Sequence, residues 1–568
     1  MEGIKDTQNL SVYSCREATK KGGHMKRAVV IGGGISGLSC ATMLAEEGVY
    51  VLLVSPYSSE RSQSVMAAGG INAVFDPCSQ GDSISCHIED TLRGGRYIAG
   101  TESVTGLCRE AENIIRYLER LGTVFTTDDD NKPLRRSFGG QSFRRTCFCG
   151  TSTGKQIVSG LVMDARRLES AGLIERRPWV FFHSALIKDG VCLGALLFDE
   201  RGGSLLAEYA DAVIVATGGQ NALFGKTTGS TQCDGYAVGR LFQQGVELKN
   251  LEFIQYHPTT LETSQKKMLI SEAARGEGGR LFYIKNGERV YFMEAAFGDK
   301  GNLMTRDVTS RQMVNTGEEI FLDISFLPDR LIKSRLHEVW LLCEKYRGID
   351  VTKEPIPVSP SVHFFMGGIA VHNNHETNIE NLFAVGECAS MYHGANRLGG
   401  NSLLAAIYSG RLAAKEIAGR EGVKRKPDFS EFVSDEQKRM DKIISEKSPF
   451  PVMYIRELLS ETMNKSMGII RETASLEDGI NDVEYYISIA EKIRYDSSIS
   501  RYDNYTLGAI LTLAKAILSC ACERKESRGA HYRSDYPEED KNYRAATIVS
   551  YEDGDLSVRF DKECAYES

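Results

Sequence analysis

The pattern of apolar and polar residues near the start of the chain predicts a strand, a helix and a second strand. Residues 28–31 form a short β-branched run that ends at a cluster of glycines. Residues 38–47 then have the apolar spacing of a helix, and residues 49–54 form another apolar run. This order is typical of a βαβ unit in an α/β fold.

The pattern changes further along the chain, which indicates several domains. Residues 251–350 contain polar loops, aromatic residues and charged motifs, and the α/β pattern returns at 381–417. Residues 430–525 are charged and periodic, as in a helical bundle, and alternation after residue 536 predicts a terminal hairpin. We predict a discontinuous nucleotide-binding domain (25–250 and 356–425), an inserted α+β capping domain (251–355), a helical domain (426–535), a small C-terminal tail (536–568) and an N-terminal extension (1–24).

The composition fits a globular protein with more than one hydrophobic core. The chain has 568 residues, of which 42% are apolar and 25% are charged. Its formal net charge of -8 gives no general attraction for nucleic acid or anionic membranes, so an anionic substrate needs a local cluster of Arg and His. We find no apolar run of about 18 residues that predicts a membrane span, and residues 1–24 lack the apolar core of a signal peptide.

The cysteines favour free thiols over a disulfide framework. There are 14 of them, scattered along a long chain, which is typical of a reducing compartment. The pairs Cys147/Cys149 and Cys520/Cys522 have C-x-C spacing, which differs from common zinc sites and from ferredoxin-like cluster motifs. We therefore expect a cytoplasmic protein without a bound metal.

A glycine motif opens the first predicted helix. Gly32, Gly34 and Gly37 have G-x-G-x-x-G spacing between a strand and a helix, where a tight turn brings pyrophosphate to the helix N-terminus. A glycine-rich turn without a ligand is the alternative. The acidic residue that holds ribose in the simple NAD fingerprint is missing, because Ser55 and Pro56 stand at the end of the second strand. The motif predicts a dinucleotide site, and FAD fits it better than NAD.

Eight motifs occur in order along the chain. They are AGGINA at 68–73, YHPT at 256–259, SEAARGEGG at 271–279, TRD at 305–307, HFFMGG at 363–368, GE at 386–387, HGANRLGGNSLL at 393–404 and ESRGAH at 526–531. In these motifs the chain resembles the flavoprotein subunits of succinate dehydrogenases and fumarate reductases, a superfamily that also includes L-aspartate oxidase. The resemblance implies a Rossmann-type FAD-binding domain and hydride exchange with a small dicarboxylate.

The resemblance also implies roles for residues of the active site. Arg is suited to binding carboxylates because its planar fork donates two parallel hydrogen bonds. An Arg proton donor is unusual, since free guanidinium has a pKa above about 12, and it requires a closed, desolvated site. The residues implied are His257, His363 and Arg397 for the substrate carboxylates, Ser271 for a hydrogen bond to one of them, Arg306 for proton transfer, and Glu272 and Arg275 as its relay.

Taken one at a time, these side chains have structural explanations as well. His257 precedes a proline and could cap a turn, and His363 could pack in a core. Arg275 could form an ion pair with Glu277. The hypothesis is therefore that the candidate residues converge over one face of a flavin.

The resemblance implies a further set of residues around FAD. Glu387 is expected to bind the ribose, and the helix that starts near Ser402 is expected to favour negative charge on the flavin. The full set is Gly32, Gly34, Ser36, Gly37, Ser55, Ser64, Ala68, Gly69, Gly70, Ala216, Thr217, Gly218, Glu387, Asn401, Ser402 and Leu403.

Three residues depart from the family pattern. Gln63 stands where membrane-bound enzymes of the family carry a His bonded to FAD, so noncovalent FAD and a lower flavin potential are expected. Such a potential favours fumarate reduction over succinate oxidation. Ala68 replaces a Gln, and Lys155 adds a cation that could adjust substrate choice or be solvated.

Three hypotheses about function follow. The first is the flavoprotein subunit of a fumarate reductase or succinate dehydrogenase, working with an iron–sulfur subunit, with or without a membrane anchor. Such a subunit would be cytoplasmic or peripheral at the cytoplasmic face of a membrane. The second is a soluble L-aspartate oxidase or a related flavin oxidase. The third is a non-catalytic assembly component that contains FAD.

Overall fold

The computed structural model describes residues 25–75, 81–129, 131–150, 152–264, 266–422, 428–445, 450–490, 494–497 and 499–562. The predicted N-terminal extension at 1–24 lies outside the described residues. The helices are α1 Ile35–Glu46, α2 Ile84–Gly94, α3 Thr101–Arg120, α4 Thr153–Ser170, α5 Tyr236–Gln243, α6 Ala273–Gly276, α7 Phe292–Phe297, α8 Arg306–Thr316, α9 Asp329–Arg335, α10 His337–Arg347, α11 Asn401–Gly419, α12 Ser430–Ser445, α13 Val452–Ser466, α14 Thr473–Ala490 and α15 Leu507–Glu523.

The strands are numbered in the same way. They are β1 Arg27–Ile31, β2 Tyr50–Ser55, β3 Ile71–Asn72, β4 Arg135–Arg136, β5 Thr146–Cys147, β6 Ile174–Pro178, β7 Val180–Lys188, β8 Val191–Asp199, β9 Ser204–Tyr209, β10 Ala212–Val215, β11 Leu248–Lys249, β12 Ile254–Glu262, β13 Lys267–Leu269, β14 Arg280–Lys285, β15 Glu288–Val290, β16 Ile320–Asp323, β17 Ile356–Phe365, β18 Gly368–Ala370, β19 Leu382–Ala384, β20 Ala389–Ser390, β21 Ala546–Glu552 and β22 Asp555–Asp561.

A five-stranded parallel sheet is the centre of the FAD-binding domain. Its order is β19-β10-β1-β2-β6, and every neighbouring pair is parallel. Val29 of β1 lies opposite Leu52 and Val213, and all three are fully buried, as expected for a strand covered on both faces. The predicted βαβ unit is confirmed. Its helix begins three residues earlier than predicted, because Gly34 already supplies the extended N-cap conformation.

The inserted capping domain has its own sheet and its own core. The sheet order is β13-β12-β17-β16-β14-β15. Leu281, Leu322 and Ile356 are fully buried in a hydrophobic cluster that is separate from the core around β1. The α+β character predicted for this part of the chain is confirmed, and the domain boundaries stay predictions.

The helical domain and the C-terminal hairpin complete the fold. Helices α12 to α15 fall in the region predicted to be helical. Strands β21 and β22 form the predicted hairpin, and β21 also pairs with β11 in a sheet of order β20-β18-β11-β21-β22. The tail is therefore part of a sheet whose other strands come from residues 248–390.

The helices and cysteines agree with the expectations from composition. None of the helices in the described ranges is long and apolar enough to cross a membrane. The cysteines in these ranges are free, and burial raises the pKa of thiols such as Cys40 and Cys192, to about 12 in Cys192. The expected free thiols are found.

Candidate active site

One large cavity joins the glycine turn after β1 to the capping domain. Its volume is about 810 Å³. Of the predicted site residues it is lined by Gly32, Gly34, Ser36, Ser55, Ser64, Ala68, Gly69, Gly70, Ala216, Thr217, Gly218, Glu387, Ser402 and Leu403, and by His257, Ser271, Glu272, Arg306, His363 and Arg397. Residues from distant parts of the sequence therefore line one cavity.

The glycine turn has the geometry that a dinucleotide requires. Gly32 has a φ of +114°, and a Cβ there would overlap the carbonyl oxygen of Ala216. A Cβ at Gly37 would overlap the carbonyl oxygen of Gly32, so helix and strand pack at a distance that only glycine permits. Helix α1 has no side-chain cap and no acidic residue in its first turn, which leaves its N-terminus suited to an anion.

Two of the predicted cofactor residues do not line the cavity. Gly37 lies behind the turn and acts through packing. Asn401 is fully buried, and its side chain points away: it accepts from Nδ2 of Asn72 at 2.7 Å and donates to Oγ1 of Thr91 at 2.9 Å. The prediction that Asn401 contacts FAD is not supported by this geometry. Its side chain instead fixes the start of α11.

Two half-buried carboxyl groups also line the cavity. Oε1 of Glu387 accepts from the backbone N–H of Phe365 at 3.1 Å, and burial raises its pKa to about 7. Asp234 accepts from the N–H of Tyr236 at 3.0 Å, and burial raises its pKa to about 6. The sequence analysis did not single out Asp234. The cavity, the N-terminus of α1 without a capping side chain of its own, and these acceptors together fit FAD.

Arg306 is held firmly at the capping side of the cavity. It is the first residue of α8, and its Nε and Nη2 donate to Oε2 of Glu272 at 3.0 and 2.9 Å. The other carboxylate oxygen of Glu272 accepts from the N–H of Gly139 at 2.7 Å. Arg306 is only 9% exposed. The pair fixes the guanidinium in a largely desolvated position.

Glu272 is ionised despite its burial. Burial alone would raise its pKa, but Arg306, Arg275 and the Gly139 amide outweigh it and lower the pKa from 4.5 to about 2. Arg275 lies behind this carboxylate, with Nη2 at 3.7 Å from Oε1 of Glu272 and Nη1 donating to the carbonyl of Asn302 at 2.7 Å. Arg275 does not line the cavity, so the three predicted proton-relay residues are arranged in series from the cavity inwards.

Gln255 connects the two cavity arginines and was missed by the sequence analysis. Its Oε1 accepts from Nη1 of Arg306 at 2.9 Å and from Nη2 of Arg397 at 3.0 Å. Its Nε2 donates to Oδ1 of Asn396 at 2.8 Å and to the carbonyl of Arg397 at 2.9 Å. The sequence contained one signal for this residue: Gln255 stands two residues before His257. In a strand, side chains two residues apart lie on the same face.

The two predicted substrate histidines lie side by side. The ring centroids of His257 and His363 are 5.2 Å apart, and Nδ1 of His363 lies 2.9 Å from Oγ1 of Thr228. Burial, and next Arg306, hold the pKa of both imidazoles well below 6.5, so both rings are neutral. Nδ1 of His257 also lies 3.1 Å from the carbonyl of Thr259, so the turn-capping alternative and the cavity position both apply to this residue.

Arg397 lies over an aromatic ring on the wall of the cavity. Its guanidinium carbon is 4.4 Å from the ring centroid of Phe364, and the residue is 4% exposed. Burial, and next the neighbouring Arg306, lower its pKa well below the ordinary value. The following turn is held by Asn72, whose Nδ2 donates to the carbonyl of Gly399 at 2.8 Å. A desolvated guanidinium of this kind is suited to an anionic ligand.

The structural alternatives for the site residues are resolved by their contacts. Glu277 pairs with Arg335 at 3.2 Å, so the suggested Arg275–Glu277 pair is absent from the described contacts. Asp307 accepts from Nδ2 of Asn396 at 2.8 Å. Within the described ranges, no group of three or more His, Cys, Asp and Glu residues is placed to hold a metal ion.

Comparisons with known proteins agree with the site. A family model described as "FAD binding domain" matches residues 27–403, and one described as "Fumarate reductase flavoprotein C-term" matches residues 456–565. A succinate dehydrogenase flavoprotein subunit of Bacillus subtilis (strain 168) is 35% identical over 536 residues, covering 90% of this chain and 91% of that relative. The fumarate reductase flavoprotein subunit of Haemophilus influenzae is 32% identical over 557 residues, covering 92% of this chain and 91% of that relative.

A solved structure shares the fold over nearly the whole chain. E. coli quinol fumarate reductase FrdA superposes with a TM-score of 0.87 at 29% identity, covering 94% of this chain and 97% of that chain. These matches and the cavity geometry show an FAD-dependent oxidoreductase. The chain belongs to the family of succinate dehydrogenase and fumarate reductase flavoprotein subunits.

Proposed function

We propose that this chain interconverts fumarate and succinate on bound FAD. The observation that carries the proposal is the convergence of His257, His363, Arg306 and Arg397 in the cavity that begins at the dinucleotide turn. These are two guanidinium groups and two neutral imidazoles around one space. Such a set binds two carboxylates and leaves room for chemistry between them.

The substrate carboxylates are held by different groups in this proposal. Arg397, above Phe364, binds one carboxylate through its planar fork. The neutral rings of His257 and His363, with their proton on Nε2 and with Nδ1 accepting from Thr259 N–H and Thr228 Oγ1 respectively, donate to carboxylate oxygens. Ser271 lines the same wall and supplies a further hydrogen bond. Because these residues and the predicted FAD-binding residues line one cavity, substrate and cofactor would meet there.

Arg306 exchanges the proton in this proposal. When bound, FAD supplies or accepts the hydride at its N5 atom. For fumarate reduction, the second alkene carbon takes a proton from a guanidinium nitrogen of Arg306, giving succinate with both carboxylates still ionised. Glu272, at 2.9 Å from Nη2, stabilises the cation; after the transfer, a proton from Arg275 behind it passes through the Glu272 carboxylate to Arg306, and solvent reprotonates Arg275. The buried position of these groups excludes water that would compete for the proton.

We also propose noncovalent FAD, on the evidence of Gln63. This residue lines the cavity, and its Nε2 lies 3.5 Å from the carbonyl of Thr228. A carboxamide cannot form the bond that a histidine forms to the flavin. Without that electron-withdrawing bond we expect a lower flavin potential, which favours fumarate reduction. Acid denaturation followed by centrifugation should leave all of the yellow colour in the supernatant, and colour in the pellet would contradict the proposal.

The chain is proposed to work with an iron–sulfur subunit. The relatives from B. subtilis and H. influenzae are named as flavoprotein subunits, which supports this because such a chain needs a partner for its electrons. A cytoplasmic position, peripheral to a membrane through partners, follows from the same proposal. Purification under mild conditions and native mass spectrometry should detect an iron-containing partner. Activity of the isolated chain with a physiological donor would contradict the need for one.

The central experiment compares three substrates and one variant. The purified holoprotein should oxidise reduced viologen with fumarate, should oxidise succinate with an artificial acceptor, and should not form hydrogen peroxide from L-aspartate. Peroxide from L-aspartate would instead favour the oxidase hypothesis. Arg306→Gln should lower turnover by about a thousandfold, in the middle of the range for a lost acid–base group. Equal measurable turnover in Arg306→Gln and wild type, with equal FAD content, would reject the role of Arg306, and no turnover of any substrate by either protein would favour an assembly component.

A further inference from the structure

Lys266 places an unpartnered cation on the wall of the active-site cavity. It lines the cavity and is half-buried. Among the described residues its Nζ has no hydrogen-bond or ion-pair partner, whereas its backbone N–H donates to Oγ1 of Thr263 at 3.3 Å. Burial lowers the pKa of Lys266 from 10.5. Burying an ammonium group without a carboxylate partner costs stability. No ion pair with a described residue therefore explains why Lys266 is half-buried.

The segment that follows Lys266 leads directly to the substrate residues. Met268, Leu269, Ser271 and Glu272 line the same cavity. This part of the wall therefore extends from Lys266 to Glu272, whose carboxylate accepts the hydrogen bonds of Arg306. It belongs to the capping domain and begins with β13.

Lys266 also lies at the seam between the capping and FAD-binding domains. The next residue, Lys267, donates its backbone N–H to the carbonyl of Thr227 at 3.2 Å. The residue after that carbonyl, Thr228, has its hydroxyl 2.9 Å from Nδ1 of His363. Lys266 is therefore one residue from a contact that joins the two domains beside a substrate histidine.

The charge balance of the site indicates what this cation does. At the capping side, Arg306, Arg275 and Arg397 carry three positive charges and the ionised Glu272 one negative charge, so these four groups alone match the two charges of a dicarboxylate. Lys266 is not needed for that balance. The chain as a whole carries -8, so a dianion approaching from solvent is repelled until it meets a local cation.

Other lysines on the cavity wall are exposed. Lys155 and Lys345 line the cavity and have exposed side chains, and Glu338 lies on the same helix as Lys345. Exposed charges are screened by water and salt within about 10 Å. Lys266 is half-buried and is therefore the lysine of the wall whose field is screened least.

We propose that Lys266 is a capture cation, which binds the incoming dicarboxylate at the domain seam and passes it to Arg306 and Arg397. The inference rests on the proposed function and adds the step before binding. It concerns the rate and affinity of substrate capture and leaves the chemical step unchanged.

The test is the variant Lys266→Gln with Lys267→Gln as its matched control. Lys267 is the neighbouring residue and does not line the cavity, so the control removes the same charge from the same segment. With the FAD-loaded enzyme at low ionic strength, Lys266→Gln should lower kcat/KM for fumarate about fivefold, as for a rim charge that acts on association. Its kcat should stay within about twofold of wild type, and Lys267→Gln should match wild type in both.

Salt gives the second part of the test. Near an ionic strength of about 1 M the screening length falls to about 3 Å, so Lys266→Gln and wild type should converge. Lys266→Arg should keep the wild-type kcat/KM and salt dependence. Equal kcat/KM for Lys266→Gln and Lys267→Gln at low salt, or a deficit that persists at high salt, would overturn the proposal.

A binding measurement separates this inference from the proposed function. Malonate is a dicarboxylate with a single methylene group, so it can bind but cannot form a carbon–carbon double bond. Titration of malonate, followed by the flavin absorption spectrum, should give about fivefold weaker binding in Lys266→Gln at low salt only. If wild type binds malonate but does not reduce fumarate, the proposed function fails while the capture role is still measured. Unchanged malonate affinity in Lys266→Gln would reject the capture role alone.

Discussion

Replacing Gln255 with Met should disturb substrate binding more than proton transfer. The change removes the oxygen that accepts from Arg306 at 2.9 Å and from Arg397 at 3.0 Å. Arg306 keeps its two hydrogen bonds to Glu272. The guanidinium of Arg397 loses this bond and keeps its position over Phe364 at 4.4 Å. The unbranched methionine has a similar length, so the fold should be retained.

The expected size follows from the bond that Arg397 loses. A hydrogen bond to a charged group contributes about 1.5–3 kcal/mol, and about 1.4 kcal/mol corresponds to tenfold. We therefore expect kcat/KM for fumarate to fall about 10- to 150-fold, chiefly through a higher KM. A fall in kcat of more than about tenfold would mean that Arg306 had also moved and was no longer correctly oriented toward the substrate.

The assay is steady-state fumarate reduction with a reduced viologen, over a range of fumarate concentrations, normalised to bound FAD. Gln244→Met is the matched control, because Gln244 exchanges hydrogen bonds with the backbone of Ala185 at 3.0 and 2.9 Å and does not line the cavity. The control should retain wild-type KM. A fall of less than about threefold in kcat/KM for Gln255→Met, with FAD content intact, would refute the idea that this glutamine holds the arginines.

Three further expectations concern stability and cofactor binding. Because the pKa of Glu272 is depressed from 4.5 to about 2, its stabilising effect is present above pH 4.5 and is lost as the pH falls toward 2. The difference in unfolding free energy between wild type and Glu272→Gln should therefore shrink over that pH window, and a constant difference would contradict it. Gly37→Ala should abolish FAD binding because its Cβ overlaps the carbonyl of Gly32, whereas Gly508→Ala, with open space, should keep FAD and melt at the same or a higher temperature. Arg524→Met leaves the buried carboxylate of Glu252 without its cation, whereas Glu526 keeps its pair with Arg528, and should cost about 3–5 kcal/mol in urea unfolding; a loss below about 1 kcal/mol would show that the network is dispensable.

The fold was predictable where local rules and tertiary structure agree. The turn at Gly32 requires a positive φ and a close approach, which the glycine spacing revealed. Residues 28–31 of β1 are all apolar and buried. Such a run predicts a central parallel strand, because both faces of that strand are covered. Strands β7 to β9 were not predicted, and the pairing of β11 with β21 depends on contacts between residues far apart in sequence.

Most of the residues that form the site could be predicted, but their arrangement could be predicted less well. The resemblance brought His257, Arg306 and Arg397 together, and the cavity contains all three. It assigned Asn401 to FAD because the residue begins a helix, but the direction of a side chain depends on its neighbours. It missed Gln255, because an uncharged amide shows its purpose only when two arginines are seen on the same oxygen.

The buried carboxylate of Glu252 has a consequence for how the protein is made. It lies three residues before Gln255 and accepts from Arg524, and from Thr547, which is 295 residues later in the chain. At about 5–20 residues per second, a ribosome needs on the order of 15 to 60 s to supply that support. The strand bearing Gln255 and His257 is thus without its final anchor throughout this interval. The contacts that support Gln255 and His257 are therefore complete only after residue 547 has joined the nascent chain.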